Sequence, residues 1–275
     1  MTARDTPLIV ERHDSVVWLR INRPASRNAL CRKTLAALGS AFAAAATDPA
    51  LKAAVLSGEG DEAFAAGGDL KELSSVRSPG QAAELFDIAS TALDELRHFP
   101  VPVIAALNGL ALGGGAELAL ACDFRVAAAH AKIGYIQAQL NISPGFGGGA
   151  DVMRLLGPSR AMLHCLTGVP LDARQAHAAG LVDQVAAEGE SLACSVARFL
   201  EPILAQTAQV IRAYKAIAIA ERLGLPLAER RKLERDSFAA TWTHPDHWAA
   251  VNAFTEAKQR RRCERSGRPG VEHEP

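Results

Sequence analysis

The sequence has no surplus of charge of either sign, since 30 Lys and Arg stand against 30 Asp and Glu. That excludes a global field able to hold nucleic acid or an anionic membrane surface, so a charged ligand has to be met by local groups. The five cysteines, Cys31, Cys122, Cys165, Cys194 and Cys263, are scattered, odd in number and never spaced C-x-x-C. A disulfide framework and a zinc site are thereby excluded, and a reducing cytoplasm fits. No uninterrupted apolar run reaches the roughly 18 residues that span a bilayer, and "MTARDTPLIVERHD" lacks the apolar core of a signal peptide. A cytosolic protein that touches neither membrane nor nucleic acid is expected.

Other signatures are missing too. There is no repeat of roughly 20 to 50 residues, and no G-x-S-x-G. His164 and Cys165, neighbours on a helix, face different directions, which leaves no serine or cysteine hydrolase site. His244 and His247 in "HPDH" have H-x-x-H spacing without a third ligand, and Pro245 puts them in a loop, so no metal is expected.

What is present is an apolar fraction of 49% over 275 residues, ample for a large core. "SVVWLRIN" (15–22) reads as a strand, followed by a Pro-containing turn and an Ala-rich amphipathic helix to about Ala46. The strand "KAAVLSG" leads to the glycine pair of "EGDEAFAAGGDLKEL", and "QAAELFDIASTALDELRHF" has helical spacing. The strand-like "VPVIAALNG" then enters "NGLALGGGAELALACDFRVA" (108–127). Strands alternating with helices predict an α/β fold whose strand-to-helix junctions carry the site. After Pro202 the strands stop, and "TAQVIRAYKAIAIAERLGL", "LAERRKLERDSFAATW" and "HWAAVNAFTEAKQRRR" predict a helical C-terminal element. The polar, Gly- and Pro-rich "RRRCERSGRPGVEHEP" predicts a frayed tail.

A glycine run that opens a helix offers unpaired N–H groups at a positive dipole end and lets another group approach the main chain. Gly113, Gly114 and Gly115 do this two residues before a lone carboxylate, Glu117. Walker A is excluded because Ala116 and Glu117 follow where Lys and Ser or Thr are needed. In "PGFGGGA" (144–150), Gly145, Gly147 and Ala150 match G-x-G-x-x-A, but mid-chain and after a poor strand, "QAQLNIS". It reads as a turn entering the helix "ADVMRLLG". The junction around Gly68 resembles that around Gly114, and two such N–H donors converging on one point form an oxyanion hole. The plain alternatives are two tight turns and a carboxylate held by its own helix dipole.

Five segments taken together, "INRPASRNAL" (21–30), "AFAAGGDLKEL" (63–73), "NGLALGGGAELALACDFRVA" (108–127), "ISPGFGGG" (142–149) and "LTGVPLDARQAHAAGLVDQV" (166–185), resemble the enoyl-CoA hydratase/isomerase family, the crotonase superfamily. The resemblance runs from about residue 8 to residue 262. It implies a spiral of repeated ββα units over 1–200, a helical trimerisation region over 201–262 and a disordered tail over 263–275. It implies an acyl-CoA thioester substrate, no cofactor beyond the coenzyme A of that substrate, and a homotrimer or dimer of trimers. By position, the N–H groups of Gly68 and Gly114 hold the thioester oxygen and Glu117 matches the first of two catalytic glutamates. Ala66, Gly68, Asp69, Leu70, Lys71, Gly114 and Trp242 fall at substrate or coenzyme A contacts, with Lys71 toward the nucleotide and Trp242 toward the adenine or acyl region.

The sequence departs from the family where the second glutamate belongs: Gln137 stands there. An amide orients water or substrate but does not exchange a proton near neutral pH. With one carboxylate, the resemblance implies hydration of an enoyl-CoA, including a functionalised or branched one. Isomerisation, decarboxylation, C–C cleavage and catalytically silent acyl-CoA binding remain as alternatives.

Overall fold

The computed structural model describes residues 6–266 in two compact units that divide after Ile211. The first unit begins with an antiparallel pair, β1 (Leu8–His13) and β2 (Val16–Ile21), that turns at Asp14. Helix α1 (Arg32–Ala46) leads to β3 (Ala53–Gly58) and β4 (Ala63–Ala65), then α2 (Leu70–Leu73) and α3 (Pro79–Arg97), the last opened by a Ser78 and Gln81 capping box. Two further turns of the same ββα pattern follow: β5 (Val103–Leu107), β6 (Leu110–Leu112) and α4 (Gly114–Ala121), then β7 (Phe124–Ala127), β8 (Lys132–Gly134), α5 (Gly149–Leu156) and α6 (Pro158–Thr167). The unit closes with β9 (Leu171–Asp172), α7 (Ala173–Ala179), β10 (Gln184–Val185) and α8 (Leu192–Leu204), which runs through Pro202.

Each turn of the spiral gives one strand to each of two sheets. The six-stranded sheet is ordered β1-β2-β3-β5-β7-β10 and the four-stranded sheet β4-β6-β8-β9. In the six-stranded sheet the central parallel strands β3 and β5 are buried on both faces, as parallel strands require. Alternate residues separate those faces: Val55, Ile104, Ala106 and Val126 pack with Val196 and Leu200 of α8, while Leu56, Ala105 and Leu107 join the larger core with Leu38, Phe42, Leu93 and Leu96 of α1 and α3.

Two buried amides fix where β4 starts. Asn28 donates to the carbonyls of Glu59 and Ala63 at 3.0 and 2.6 Å, and Asn108 donates to those of Gly60 and Ala63 at 2.8 and 3.0 Å. The β3 to β4 connection is thus tied from both sides, which sets the register of the strand that delivers Gly68.

The second unit holds the remainder of α9 (Ala208–Arg222), then α10 (Leu227–Trp242) and α11 (Pro245–Ser266). Here two sequence expectations need correction. Pro245 does not make a loop: it opens α11, where its missing N–H costs nothing, so His244 and His247 flank a helix start. The helix also continues to Ser266, past the residue 263 at which the polar tail was expected to begin. The rest of that tail, 267–275, lies outside the described residues.

Candidate active site

The parallel strands β4, β6 and β8 lie side by side, so their C-terminal ends deliver three segments to one edge of the small sheet. β4 ends at the Gly67 and Gly68 junction, β6 at Gly113 and Gly114, and β8 leads through Tyr135 to Gln137. Gly113, with φ +53° and ψ −119°, takes a backbone shape that side chains oppose, and this lets α4 begin directly at Gly114. Among the described residues, neither the Gly68 nor the Gly114 amide has a main-chain acceptor. The two junctions meet under one ring: a methyl group on Gly114 would come within 2.6 Å of Phe146, and one on Gly68 within 3.4 Å of the same ring.

Glu117 sits one turn into α4 and is buried to 1% exposure. Its carboxylate does not fold back on its own helix dipole but is held by the loop before α5. Oε1 accepts from Gln137 Nε2 at 2.8 Å and Gly145 N at 3.1 Å, and Oε2 accepts from Phe146 N at 2.9 Å and Gly148 N at 2.8 Å. Every acceptor position of the carboxylate is therefore filled. Gly148 has to be glycine for this, because a methyl group there would lie 2.5 Å from Glu117 Cβ. Burial pushes the Glu117 carboxyl above its ordinary range, and it outweighs the loop N–H groups and the Gln137 amide that favour the ion. The result is a carboxylate able to exchange a proton nearer neutrality than an exposed glutamate.

Gln137 lies in a single 3-10 turn, Gln137–Leu140, and is 7% exposed. Its Oε1 is buried with no hydrogen-bond partner among the described residues. One end of the amide thus engages Glu117, and the other is an acceptor with a donor still to find. The neighbouring titratable groups are held neutral: burial raises the Tyr135 phenol and the Cys165 thiol and lowers His164.

Of the other sequence-predicted residues, Asp69 caps α2. Its carboxylate accepts from Arg23 Nη2 at 2.8 Å and from the Lys71 and Glu72 amides, and the Arg23 hydrogen bond holds it below the usual carboxylate range. The Ala66 amide donates to the Arg27 carbonyl, while Leu70 and Lys71 are exposed on α2. Trp242 belongs to the second unit, where its ring lies 4.5 Å from that of His247 and 5.3 Å from that of Phe238. No group of metal-ligating side chains occurs among the described residues, nor any helix long and apolar enough to cross a membrane. Sequence reasoning missed the backbone donors of 145–148, the Phe146 ring, and the side chains of Tyr135, Arg97 and Asp151 that hold that loop. "PGFGGG" was the available signal, legible as a turn but not as a carboxylate clamp.

The spiral of ββα units superposes on a solved enoyl-CoA hydratase from Bacillus anthracis with a TM-score of 0.84 at 31% identity, covering 91% of this chain and 96% of that one. The class is thus the crotonase fold. The enoyl-CoA hydratase/isomerase family model matches residues 11–262. Relatives include a crotonyl-CoA hydratase of Syntrophomonas wolfei, 34% identical over 92% of this chain and 96% of that protein, and a 2,3-dehydroadipyl-CoA hydratase of Escherichia coli, 36% identical over 91% and 96%. The chain belongs to the enoyl-CoA hydratase/isomerase family and is an enzyme of that type.

Proposed function

We propose that the protein is a lyase that adds water to the double bond of an enoyl-CoA thioester, with Glu117 as its proton-transfer residue. The observation that carries this reading is a buried carboxylate, pushed above its ordinary range by burial, in hydrogen-bond contact with an amide that cannot titrate. The names of the two hydratase relatives support hydration in particular.

The thioester oxygen accepts from the Gly68 and Gly114 N–H groups. Water attacks the β-carbon while Glu117 takes its proton, electrons move to the thioester oxygen, and the two N–H donors stabilise the enolate, each worth about 2.7–4 kcal/mol of barrier. Protonated Glu117 then returns that proton to the α-carbon, so one carboxyl group serves as base and acid. To accept a proton Glu117 has to release one of its four donors. The Gln137 side chain can rotate away, whereas the loop N–H groups are fixed in the backbone. Gln137 Oε1 receives a hydrogen bond from the incoming water or from a polar acyl substituent. The absence of a second carboxylate supports isomerisation or decarboxylation as the second reading.

Ala66, Asp69, Leu70 and Lys71 contact the coenzyme A portion in this proposal, and no further cofactor takes part. A complex with an unreactive acyl-CoA ester is expected to show the thioester oxygen roughly 2.7–3.2 Å from both the Gly68 and Gly114 nitrogens. A carbonyl bound elsewhere would remove the oxyanion assignment.

The α9 to α11 segment is proposed to mediate a homotrimer or dimer of trimers in a reducing cytoplasm. In support, α10 buries none of its side chains, and Phe238, Trp242, Trp248 and Phe254 are exposed. Sedimentation equilibrium is expected to give three or six times the chain mass of 29.0 kDa. A monomer at micromolar concentration would sink this assignment.

A further inference from the structure

The Gly147–Gly148 peptide unit is engaged at both ends. Its N–H donates to Glu117 Oε2 at 2.8 Å, and its carbonyl accepts from Arg97 Nη2 at 3.0 Å. Arg97 comes from the last turn of α3 and is buried. Its Nε and Nη2 reach Asp151 Oδ2 at 3.1 and 2.7 Å, and its Nη1 reaches Asp94 Oδ1 at 2.7 Å. Arg154 meets the other Asp151 oxygen at 3.3 Å. A cation on the carbonyl of a conjugated peptide draws electron density from its nitrogen and strengthens the N–H as a donor.

Among the described residues, the titratable side chains nearest Glu117 other than these, Tyr135, Cys165 and His164, bring no charge. Tyr135 donates to the Gly148 carbonyl at 2.8 Å, but that peptide's N–H belongs to Gly149, which is not among the donors to Glu117. The Tyr135 phenol and Cys165 thiol stay protonated and His164 stays neutral around neutral pH, for the reasons of burial given above. The charges that bear on Glu117 through the loop are therefore the Arg97 guanidinium, with Asp94, Asp151 and Arg154 gathered on it.

We propose that Arg97 is a positioning residue that acts on Glu117 through the Gly147–Gly148 peptide, holding the carboxylate in place and in its charged form, and that Asp151 tunes how much of the guanidinium charge Glu117 receives. A neutral donor would fix the same loop equally well in geometry. A buried guanidinium adds an electrostatic bias, and its partner Asp151, in the first turn of α5, ties that bias to the helix that follows the loop. The proposal rests on the proposed role of Glu117 only for its kinetic readout.

The test compares Arg97→Met, Asp151→Asn, the double variant, Arg97→Lys and Tyr135→Phe by two measurements. One is the titration of the Glu117 carboxyl by 13C NMR of Glu-labelled protein, with the resonance assigned by its loss in Glu117→Gln. The other is the pH profile of kcat/KM on an enoyl-CoA. Arg97→Met removes a positive charge that favours the ion, so the Glu117 midpoint is expected to rise by about one pH unit. Asp151→Asn removes the opposing charge and is expected to lower it. The double variant, which leaves no unpaired charge of the pair behind, is expected between Arg97→Met and wild type and above the latter. Arg97→Lys should restore most of the midpoint, and Tyr135→Phe should leave it in place.

A purely structural role predicts lower melting temperatures with an unchanged midpoint in both Arg97→Met and Asp151→Asn, and that result would overturn the proposal. If Arg97→Met does not fold, the double variant and Asp151→Asn decide by the same criterion. If the NMR midpoints move as expected while the kinetic limb stays fixed, the Arg97 coupling holds and it is the role of Glu117 in turnover that fails.

Discussion

Glu117→Gln is expected to lower kcat by about 10²–10⁴-fold, the range that a positioned general acid and base supplies, while the dissociation constant for an unreactive acyl-CoA stays within a few-fold of wild type. The amide is nearly isosteric: its oxygen can still accept from the Phe146 and Gly148 N–H groups, and its NH2 can donate to a turned Gln137 Oε1, so the site loses its exchangeable proton and the Gly145 hydrogen bond while the pocket keeps its shape. Binding is expected to survive because the proposed contacts to the thioester oxygen and the coenzyme A portion lie elsewhere, at the glycine junctions and on α2.

The pH profile adds a second check with a definite sign. Because burial raises the Glu117 carboxyl, the acidic limb of wild-type kcat/KM should lie above the roughly 4.3 of an unperturbed glutamate, with activity growing as the base form appears. The same raised value means the folded state binds this proton more tightly than the unfolded chain does. Ionisation should therefore weaken the fold as pH rises through that range, and Glu117→Gln should lose this part of the pH dependence. Retention of full activity by Glu117→Gln on any accepted thioester would show that another group moves the proton.

The parts of the fold legible in the sequence were those with long periodic segments. β2, β3, β5 and the helices α1 and α3 bury regular faces, and the pattern of apolar residues reports those faces directly. β1 escaped because, as an edge strand, it buries only Leu8 and shows no alternation. β6 and β8 are three residues each, too short for a period to register, yet they bring Gly114 and Gln137 to the site.

The site divides in the same way. Glu117, Gly68, Gly114 and Gln137 carry side-chain or glycine signals in recognisable segments. The donors on Glu117 from 145–148 are backbone N–H groups, which every non-proline residue possesses, so their role depends on loop shape and not on residue type. Arg97 and Asp151 are 54 positions apart and become partners only when α3 and α5 pack against the same loop. Nothing local to either residue reveals the pair.

Gln137→Glu is expected to change the titration of the site more than any other single substitution. In the wild type the Gln137 amide gives a hydrogen bond to Glu117 Oε1 at 2.8 Å. A carboxylate in its place would put two like charges at contact, in a buried setting where both cannot ionise together. The two groups should then share one proton and titrate as a pair, with one apparent value pulled down and the other pushed well above that of wild-type Glu117. The shared proton supplies what the wild-type site lacks, an acid separate from the base. Glu117 can take the proton of water while residue 137 protonates the α-carbon, so neither group has to do both jobs within one turnover. Hydration of a simple enoyl-CoA should rise, by up to about 10²-fold if the missing acid limits the rate, and kcat/KM should become bell-shaped as its alkaline limb reports loss of the shared proton. A stopped-flow assay of thioester hydration across pH would show both features. If the variant instead hydrates more slowly at every pH, the Gln137 amide is required as it stands, to orient water or a polar acyl group through Oε1, and the single-carboxylate site is adapted to its own substrate.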